Sequence, residues 1–451
     1  MLASPPSGAR RRLPDRCGAG GSRRRRAPDP PPPQGRDHAM SPRSTARRRL
    51  VGAAALAATV PLVLAGCSGG GGGGSSSGGD PKTITVTDYY NEGNDDTVIG
   101  DTLTKCGESL GVTIERTSIP GSSLIQKVLQ QASSRTLPDV LMLDNPDLQQ
   151  IAATGALAPL EDFGISTDGY AKGVVDAGTY EGKTYGLAPT VNTIALFYNT
   201  KMLADAGIQP PTTWDELKTA AAALKDGDRY GIAMDANATY EGTWQFLPFM
   251  WSNGGDEKDI ATPETAEALQ LWTDLVKDGS ASQSVVNWTQ SDVNDQFMAG
   301  KTAMMINGPW QIPALTESGV EYGIAKLPAP EAGGTAVAPL GGEVWTVPQT
   351  GNKEKQATAA KVVECLNSDE NQLEMATKRF TIPSKTAVAT EFGQQVPEEQ
   401  VFVDLVADAR ARTGELGEEW PKAATKIYTA VQSALTGQSS PEDALKNAEQ
   451  G

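Results

Sequence analysis

The spacing of hydrophobic residues changes period several times along the chain. In "KTITVTDYY", Ile84 and Val86 alternate with polar residues as in a half-buried strand. "VIGDTLTKCGESLG" then sets Leu103, Cys106 and Leu110 on one helical face. "VTIERTSI" returns to a strand and ends at the turn residues "PGSS". A second helix, "LIQKVLQQASSR", leads into "PDVLMLD", where residues 140–143 are an unbroken apolar run. Such a run suits a parallel strand covered on both faces. Strands alternating with helices argue for an α/β fold built of right-handed crossovers. No internal repeat is visible.

Further on, the capping chemistry marks helix starts. Thr213 stands three residues before Glu216 in "TTWDELKTAAAALK", the spacing of a capping box. "TPETAEALQLWTDLVKDG" offers Thr262 as N-cap, Pro263 in the first turn and Gly279 as the stop, with Leu269, Trp272 and Val276 inside. "SSPEDALKNAEQ" repeats the Ser-Pro-Glu opening and predicts a helical ending.

The first 81 residues follow a different pattern. Residues 1–39 are rich in arginine and proline, without the periodicity that a core needs. Because Met40 begins a complete signal sequence, they read as an over-extended start; a basic arm is the alternative. Arg47, Arg48 and Arg49 precede a run of roughly 16 apolar residues, short of the ~20 that span a membrane. The run ends in Leu64-Ala65-Gly66-Cys67, which resembles the lipobox of bacterial lipoproteins. That resemblance implies a signal peptide over residues 40–66 and a diacylglycerol thioether on Cys67. Cleavage near Ala65 to give a secreted protein is the competing reading. Residues 67–81, with six consecutive glycines, form a tether with a reach of about 20 Å.

Composition narrows the chemistry. Removing residues 1–66 takes away 13 arginines and three aspartates, so the formal charge of −16 becomes −26 over the remaining 385 residues. A chain so acidic is a poor nucleic-acid partner, and 385 residues suffice for two domains. The single histidine, His38, lies in the leader. Its position removes Ser-His-Asp and Cys-His catalysis and histidine-bearing zinc sites. No cofactor or metal is expected. Beyond Cys67 only Cys106 and Cys365 remain, too few for a metal cage and enough for one disulfide.

Five stretches in order carry a family resemblance: "PDVLMLDNPDLQQIAATGALAPLEDF", "GKTYGLAPTVNTIALFYNTKML", "TTWDELKTAAAALK", "FMAGKTAMMINGPW" and "GGEVWTVP". Between about Lys82 and Glu449 the chain resembles the extracytoplasmic solute-binding proteins of ABC transporters, in the carbohydrate-binding group that includes maltose-binding protein. The resemblance implies a type II periplasmic-binding-protein-like fold, in which two discontinuous α/β lobes enclose ligand at a hinge. Residues 82–191 and 343–398 would form one lobe, and residues 192–342 and 399–451 the other. Crossings would fall near residues 191–194, near residues 341–344 and before Val401. It further implies a monomer lipid-anchored at the outer face of the cytoplasmic membrane, with no other membrane contact. This monomer would deliver sugar to ABC permease subunits. Cys106 and Cys365 would share the first lobe and could be bridged; each also reads as a small core residue.

A sugar presents hydroxyls at its rim and C–H groups on its ring faces, so its site needs carboxylates, amides and flat aromatics. Trp310 in "NGPW" follows the run "AMMI" and matches the family's stacking tryptophan, with a core role as the alternative. Trp244 matches an aromatic ligand contact, and Trp251, seven residues later, shares its helical side. One of the two is expected to touch ligand, with Trp244 favoured. Asp144 and Asn145 end the buried strand and should reach the cleft; Leu143 stands where maltose-binding protein has a tryptophan, which leaves the choice of sugar open. Asn192 matches the polar hinge residue, and Glu343 lies at another hinge or is a solvated loop charge. Tyr89, Tyr90 and Asn91 follow the first strand, while Arg379 and Trp345 serve the site, an ion pair or packing.

Two rival functions share these residues. Asp144 and Glu343 would be the carboxylate pair of a carbohydrate-active enzyme only if they flanked one bond. A sugar phosphate or a peptide would alter the ligand within the same fold, yet phosphate recognition wants clustered arginines, and Arg379 is the sole basic residue among the candidates. A tethered adhesion or signalling module without a permease would carry the same anchor and fold.

Overall fold

A computed structural model describes residues 82–91, 93–413 and 416–451. The leader, Cys67 and the tether fall outside the described residues.

The expected parallel strands come together in a five-stranded sheet ordered Thr113–Ser118, Thr83–Asp88, Val140–Asp144, Glu343–Thr346 and Gly186–Leu187. The first three run parallel, and Glu343–Thr346 is antiparallel to both of its neighbours. Leu141, Met142 and Leu143 are fully buried, as a strand covered on both faces requires. Helix Gly93–Leu110 turns Ile99, Leu103 and Cys106 inward, at helical spacing. A disulfide joins Cys106 to Cys365 of helix Lys353–Leu366, with the Cα atoms 5.8 Å apart.

A second sheet orders Tyr322–Ala325, Ala195–Asn199, Thr302–Asn307 and Tyr230–Ala233. A second hydrophobic cluster builds on its other face from Leu196, Ile232, Phe246, Trp272, Trp420 and Ile427. Helix caps form as the sequence specifies. Thr213 and Glu216 close a capping box, Thr262 accepts from the Thr265 amide ahead of helix Pro263–Lys277, and Ser440 caps Pro441–Gln450.

The chain passes between the sheets through short segments that pair with one another. Asn192 and Gly341 exchange both backbone hydrogen bonds, at 3.2 and 2.8 Å, and the Thr193 hydroxyl donates to the Pro339 carbonyl at 2.7 Å. Thr190–Val191 pairs with Ile382–Pro383, and Pro339–Leu340 with Arg410–Ala411. Helix Gln400–Ala407 rests on helix Thr386–Gln395 and sets Phe402 against Phe197 of the second sheet, ring centres 6.0 Å apart. One hydrophobic cluster thereby continues from the first sheet onto one face of the second.

Candidate functional site

Where the paired segments meet the ends of the first sheet's strands, a cavity of about 350 Å³ opens. Asp144 and Glu343 end up side by side because they are paired residues of adjacent strands. Tyr89 and Tyr90, just past the first strand, each donate a phenolic hydrogen bond to Glu343, one to Oε1 and the other to Oε2. Burial raises both phenols and the Glu343 carboxyl above their usual pKa values.

Arg379, at the end of helix Asp369–Arg379, is 4 % exposed and grips Asp95 with Nε and Nη2, each at 3.0 Å. Its guanidinium lies 4.7 Å from the centre of the Tyr90 ring. Arg412 donates from Nη2 to Asp144 Oδ1 at 2.7 Å and lies 5.4 Å from the Trp244 ring centre. One side chain therefore joins the first sheet to a residue of the second hydrophobic cluster.

The second sheet supplies the aromatic surface. Strand Thr302–Asn307 is buried throughout and ends at a Gly308 turn, where the 3-10 helix Pro309–Gln311 begins. The Trp310 ring folds back so closely that a Cβ on Gly308 would lie 1.9 Å from it. Trp244 projects from helix Tyr240–Ser252, whose start is capped by Thr239. The indoles of Trp244 and Trp310 stack with centres 5.9 Å apart and planes 27° from parallel. Gly341 is compelled by the same crowding, since a Cβ there would lie 2.0 Å from Asn192 Oδ1 and 2.7 Å from Trp244.

Of the residues singled out in the sequence, Tyr89, Tyr90, Asn91, Asp144, Asn192, Trp244, Trp310, Glu343 and Arg379 line this cavity. Three do not. Asn145 is buried and donates from Nδ2 to the Gly342 carbonyl at 2.9 Å. Trp251 gives its Nε1 hydrogen to Glu257 at 2.6 Å and lies under the Arg410 guanidinium. Trp345 is packed in the first hydrophobic cluster at 1 % exposure.

The lining also contains Asp95, Tyr240, Glu241, Gln290, Thr381 and Arg412, which the sequence reading did not single out. Arg412 corrects the expectation that Arg379 is the sole basic residue at the site. Tyr240 did carry a signal, because it stands four residues before Trp244 on one helix. A larger depression of about 930 Å³, lined in part by Lys172, Tyr180, Arg410 and Glu418, has no tryptophan. Its arginine is already held by Asp256 and Glu257. The smaller cavity has the mixture of flat apolar faces and convergent polar groups that a small-molecule site needs.

Sequence and structure comparisons agree on the class. The sequence profile of the bacterial extracellular solute-binding proteins matches residues 102–400. A binding protein of Brucella abortus is 27 % identical over 76 % of this chain and 85 % of its own. A maltooligosaccharide ABC transporter solute-binding lipoprotein of Streptococcus pneumoniae is 23 % identical over 71 % of this chain and 78 % of its own. Among solved structures, a maltose-bound protein of T. maritima superposes with a TM-score of 0.73 at 25 % identity, covering 82 % of this chain and 98 % of that one. The two-sheet architecture with its cavity at the paired segments is the two-lobed arrangement of such proteins, and the chain belongs to the bacterial extracellular solute-binding protein family.

Proposed function

We propose that the chain captures an oligosaccharide between its two lobes and delivers it to the permease subunits of an ABC transporter. The observation that carries this reading is the stacked pair Trp244 and Trp310 in a cavity that also holds Asp144, Glu343 and Asn192. Stacked indoles offer apolar faces to sugar C–H groups, worth ~25 cal/mol per Å² removed from water. Carboxylates and amides select among hydroxyl patterns, because an unmatched buried partner costs ~1–3 kcal/mol. The sugars named for the S. pneumoniae relative and the T. maritima structure support the same class.

Residues 82–191 and 343–398 form one lobe in this reading and residues 192–342 and 399–451 the other, hinged at the Asn192 and Gly341 pairing. Closure over the sugar is what the permease reads. The protein acts as a monomer without turning its ligand over, anchored through Cys67 at the outer face of the cytoplasmic membrane. The relative named as a lipoprotein supports the anchor. A sugar phosphate fits less well, since Arg379 and Arg412 are already engaged by Asp95 and Asp144.

A panel of maltose-type, cellulose-type and cyclic oligosaccharides, read by thermal shift and tryptophan fluorescence, tests the reading. A sugar at ~100 times its dissociation constant raises stability by about 2.7 kcal/mol. If no sugar moves either signal, the reading fails. New reducing ends in the same mixtures would make the protein an enzyme instead. Cys67→Ser should release the protein from the membrane fraction, and unchanged membrane association would remove the anchor.

A further inference from the structure

Two buried donors at the cavity have no acceptor. Trp244 and Arg412 both line it, and each is 5 % exposed. Neither Trp244 Nε1 nor Arg412 Nε has a hydrogen-bond partner among the described residues. Trp214, Trp272 and Trp420 also bury an indole nitrogen without a partner, but none of the three lines the cavity. Leaving a buried N–H unmatched is costly, so two of them at one cavity call for oxygen supplied from outside the chain.

The neighbours of these donors decide how a ligand meets them. Trp310 stacks on the Trp244 indole, ring centres 5.9 Å apart, and the Arg412 guanidinium lies 5.4 Å from the Trp244 ring centre. The Trp244 ring is therefore already engaged by protein groups, and its N–H edge is what remains for a ligand. That edge borders the paired segments: a Cβ on Gly341, which also lines the cavity, would lie 2.7 Å from Trp244 Cζ2, on the nitrogen side of the ring. Trp310 is only partly buried and keeps the role of a stacking face. Arg412 gives Nη2 to Asp144 Oδ1 at 2.7 Å, and its Nε is left unmatched beside that pair.

Resting on the oligosaccharide reading, we propose that Trp244 Nε1 and Arg412 Nε select a neutral sugar by donating to its hydroxyl oxygens, with Trp244 acting through its edge and Trp310 alone offering a stacking face. An ammonium group brings donors only and would leave both nitrogens unmatched. A carboxylate accepts, but it adds a negative charge to a cavity where Asp95, Asp144, Glu241 and Glu343 face two cations, Arg379 and Arg412. A hydroxyl accepts without adding charge, and its own hydrogen has a carboxylate at hand in Asp144, beside Arg412. A sugar lacking that hydroxyl closes over two donors that nothing satisfies.

Calorimetric titration of the full chain with maltotriose, cellotriose and a cyclodextrin, and with trigalacturonate as the anionic probe, tests the proposal. Trp244→Phe keeps an aromatic ring without the N–H, and Arg412→Lys keeps a cation for Asp144 without Nε. Each variant should bind the best neutral sugar about ten-fold more weakly, equivalent to about 1.4 kcal/mol. The mono-deoxy derivatives of that sugar separate direct contact from structural damage. At one ring position the deoxy sugar should bind the parent protein about ten-fold more weakly than the intact sugar does, and Arg412→Lys should then add little further loss. Should Trp244→Phe misfold, Arg412→Lys and the deoxy series still decide. Undiminished affinity in either folded variant, or an equal further loss for every deoxy derivative, overturns the proposal and leaves the oligosaccharide reading standing. Trigalacturonate binding as tightly as the best neutral sugar, or more tightly, overturns the neutral class. If no probe binds, the oligosaccharide reading falls and this proposal with it.

Discussion

The two walls of the cavity are built on opposite principles. On the first sheet's side, the charged groups have protein partners: Arg379 with Asp95, Glu343 with two tyrosines, and Asp144 with Arg412, which belongs to the stretch assigned to the other lobe. On the second side, Trp310 is partly exposed and stacks on Trp244, itself packed in the second cluster, and Glu241 faces the cavity without an ion pair among the described residues. A wall whose groups hold one another keeps its geometry before ligand arrives, which lowers the ordering cost of binding. A wall with a partly exposed aromatic face keeps interaction energy for a ligand. On the proposed function, the first wall would select shape and the second would carry more of the affinity.

The cores behind the walls differ in the same sense, and this gives the largest expected effect. The first core is tied by the Cys106–Cys365 disulfide across 259 residues, whereas residues 192–342 contain no cysteine. Closing so long a loop places the bridge near the upper end of the usual ~2–4 kcal/mol. Reduction should therefore move the urea midpoint seen by far-ultraviolet circular dichroism more than the midpoint seen by tryptophan fluorescence. Fluorescence follows mainly the second cluster, which holds Trp214, Trp244, Trp251, Trp272 and Trp420. Equal movement of the two midpoints would show that the cores unfold as one unit.

Next in size is the second wall itself. Trp310→Ala removes one of the two stacked faces and should weaken sugar binding by about a hundred-fold, or about 2.7 kcal/mol. Trp345→Phe, buried in the first core away from the cavity, should lower the melting temperature and leave affinity as it was. Titration of both variants with the same sugar decides the matter. Undiminished affinity in a folded Trp310→Ala protein would move the ligand elsewhere.

What could be read from the sequence follows the range of the interactions concerned. Periodic runs such as the strand Val140–Asp144 and capped helices such as Pro263–Lys277 are local patterns, and they stand where the sequence puts them. The two-residue strands Thr190–Val191, Pro339–Leu340, Ile382–Pro383 and Arg410–Ala411 are too short to carry a period; they exist through pairing with distant chain. Trp310 was legible because a Gly-Pro turn after a buried strand presents its side chain at the strand's end. Arg412 was not, since its partner Asp144 is 268 residues away. Trp251 shows the limit of spacing: it shares a helix with Trp244, but Glu257 and Arg410 engage it away from the cavity. Asn145, at the end of the right strand, is turned to the Gly342 carbonyl by a backbone acceptor that no local pattern reveals.

The smallest expected effect separates the first wall's partnered surface from what lies behind it. Asp147 is 8 % exposed, its Oδ1 has no partner, and burial, reinforced by Asp144 and opposed by Arg412, pushes it up to about 7. An aspartate in the unfolded chain titrates near ~3.9. Because the folded value is the higher one, the folded state binds more protons between the two. The stability that Asp147 contributes is therefore fully present below about pH 4 and is lost as pH rises toward about 7. Asp147→Asn removes this dependence. The variant should match the parent near pH 4 and exceed it by on the order of 1–2 kcal/mol near pH 7, less than the full linkage limit of about 1.4 kcal/mol per pH unit. Urea unfolding of both proteins across that range measures the difference. A constant offset at every pH would mean that Asp147 keeps its charge in the fold, and that water or a neighbouring donor reaches the carboxyl behind the partnered wall.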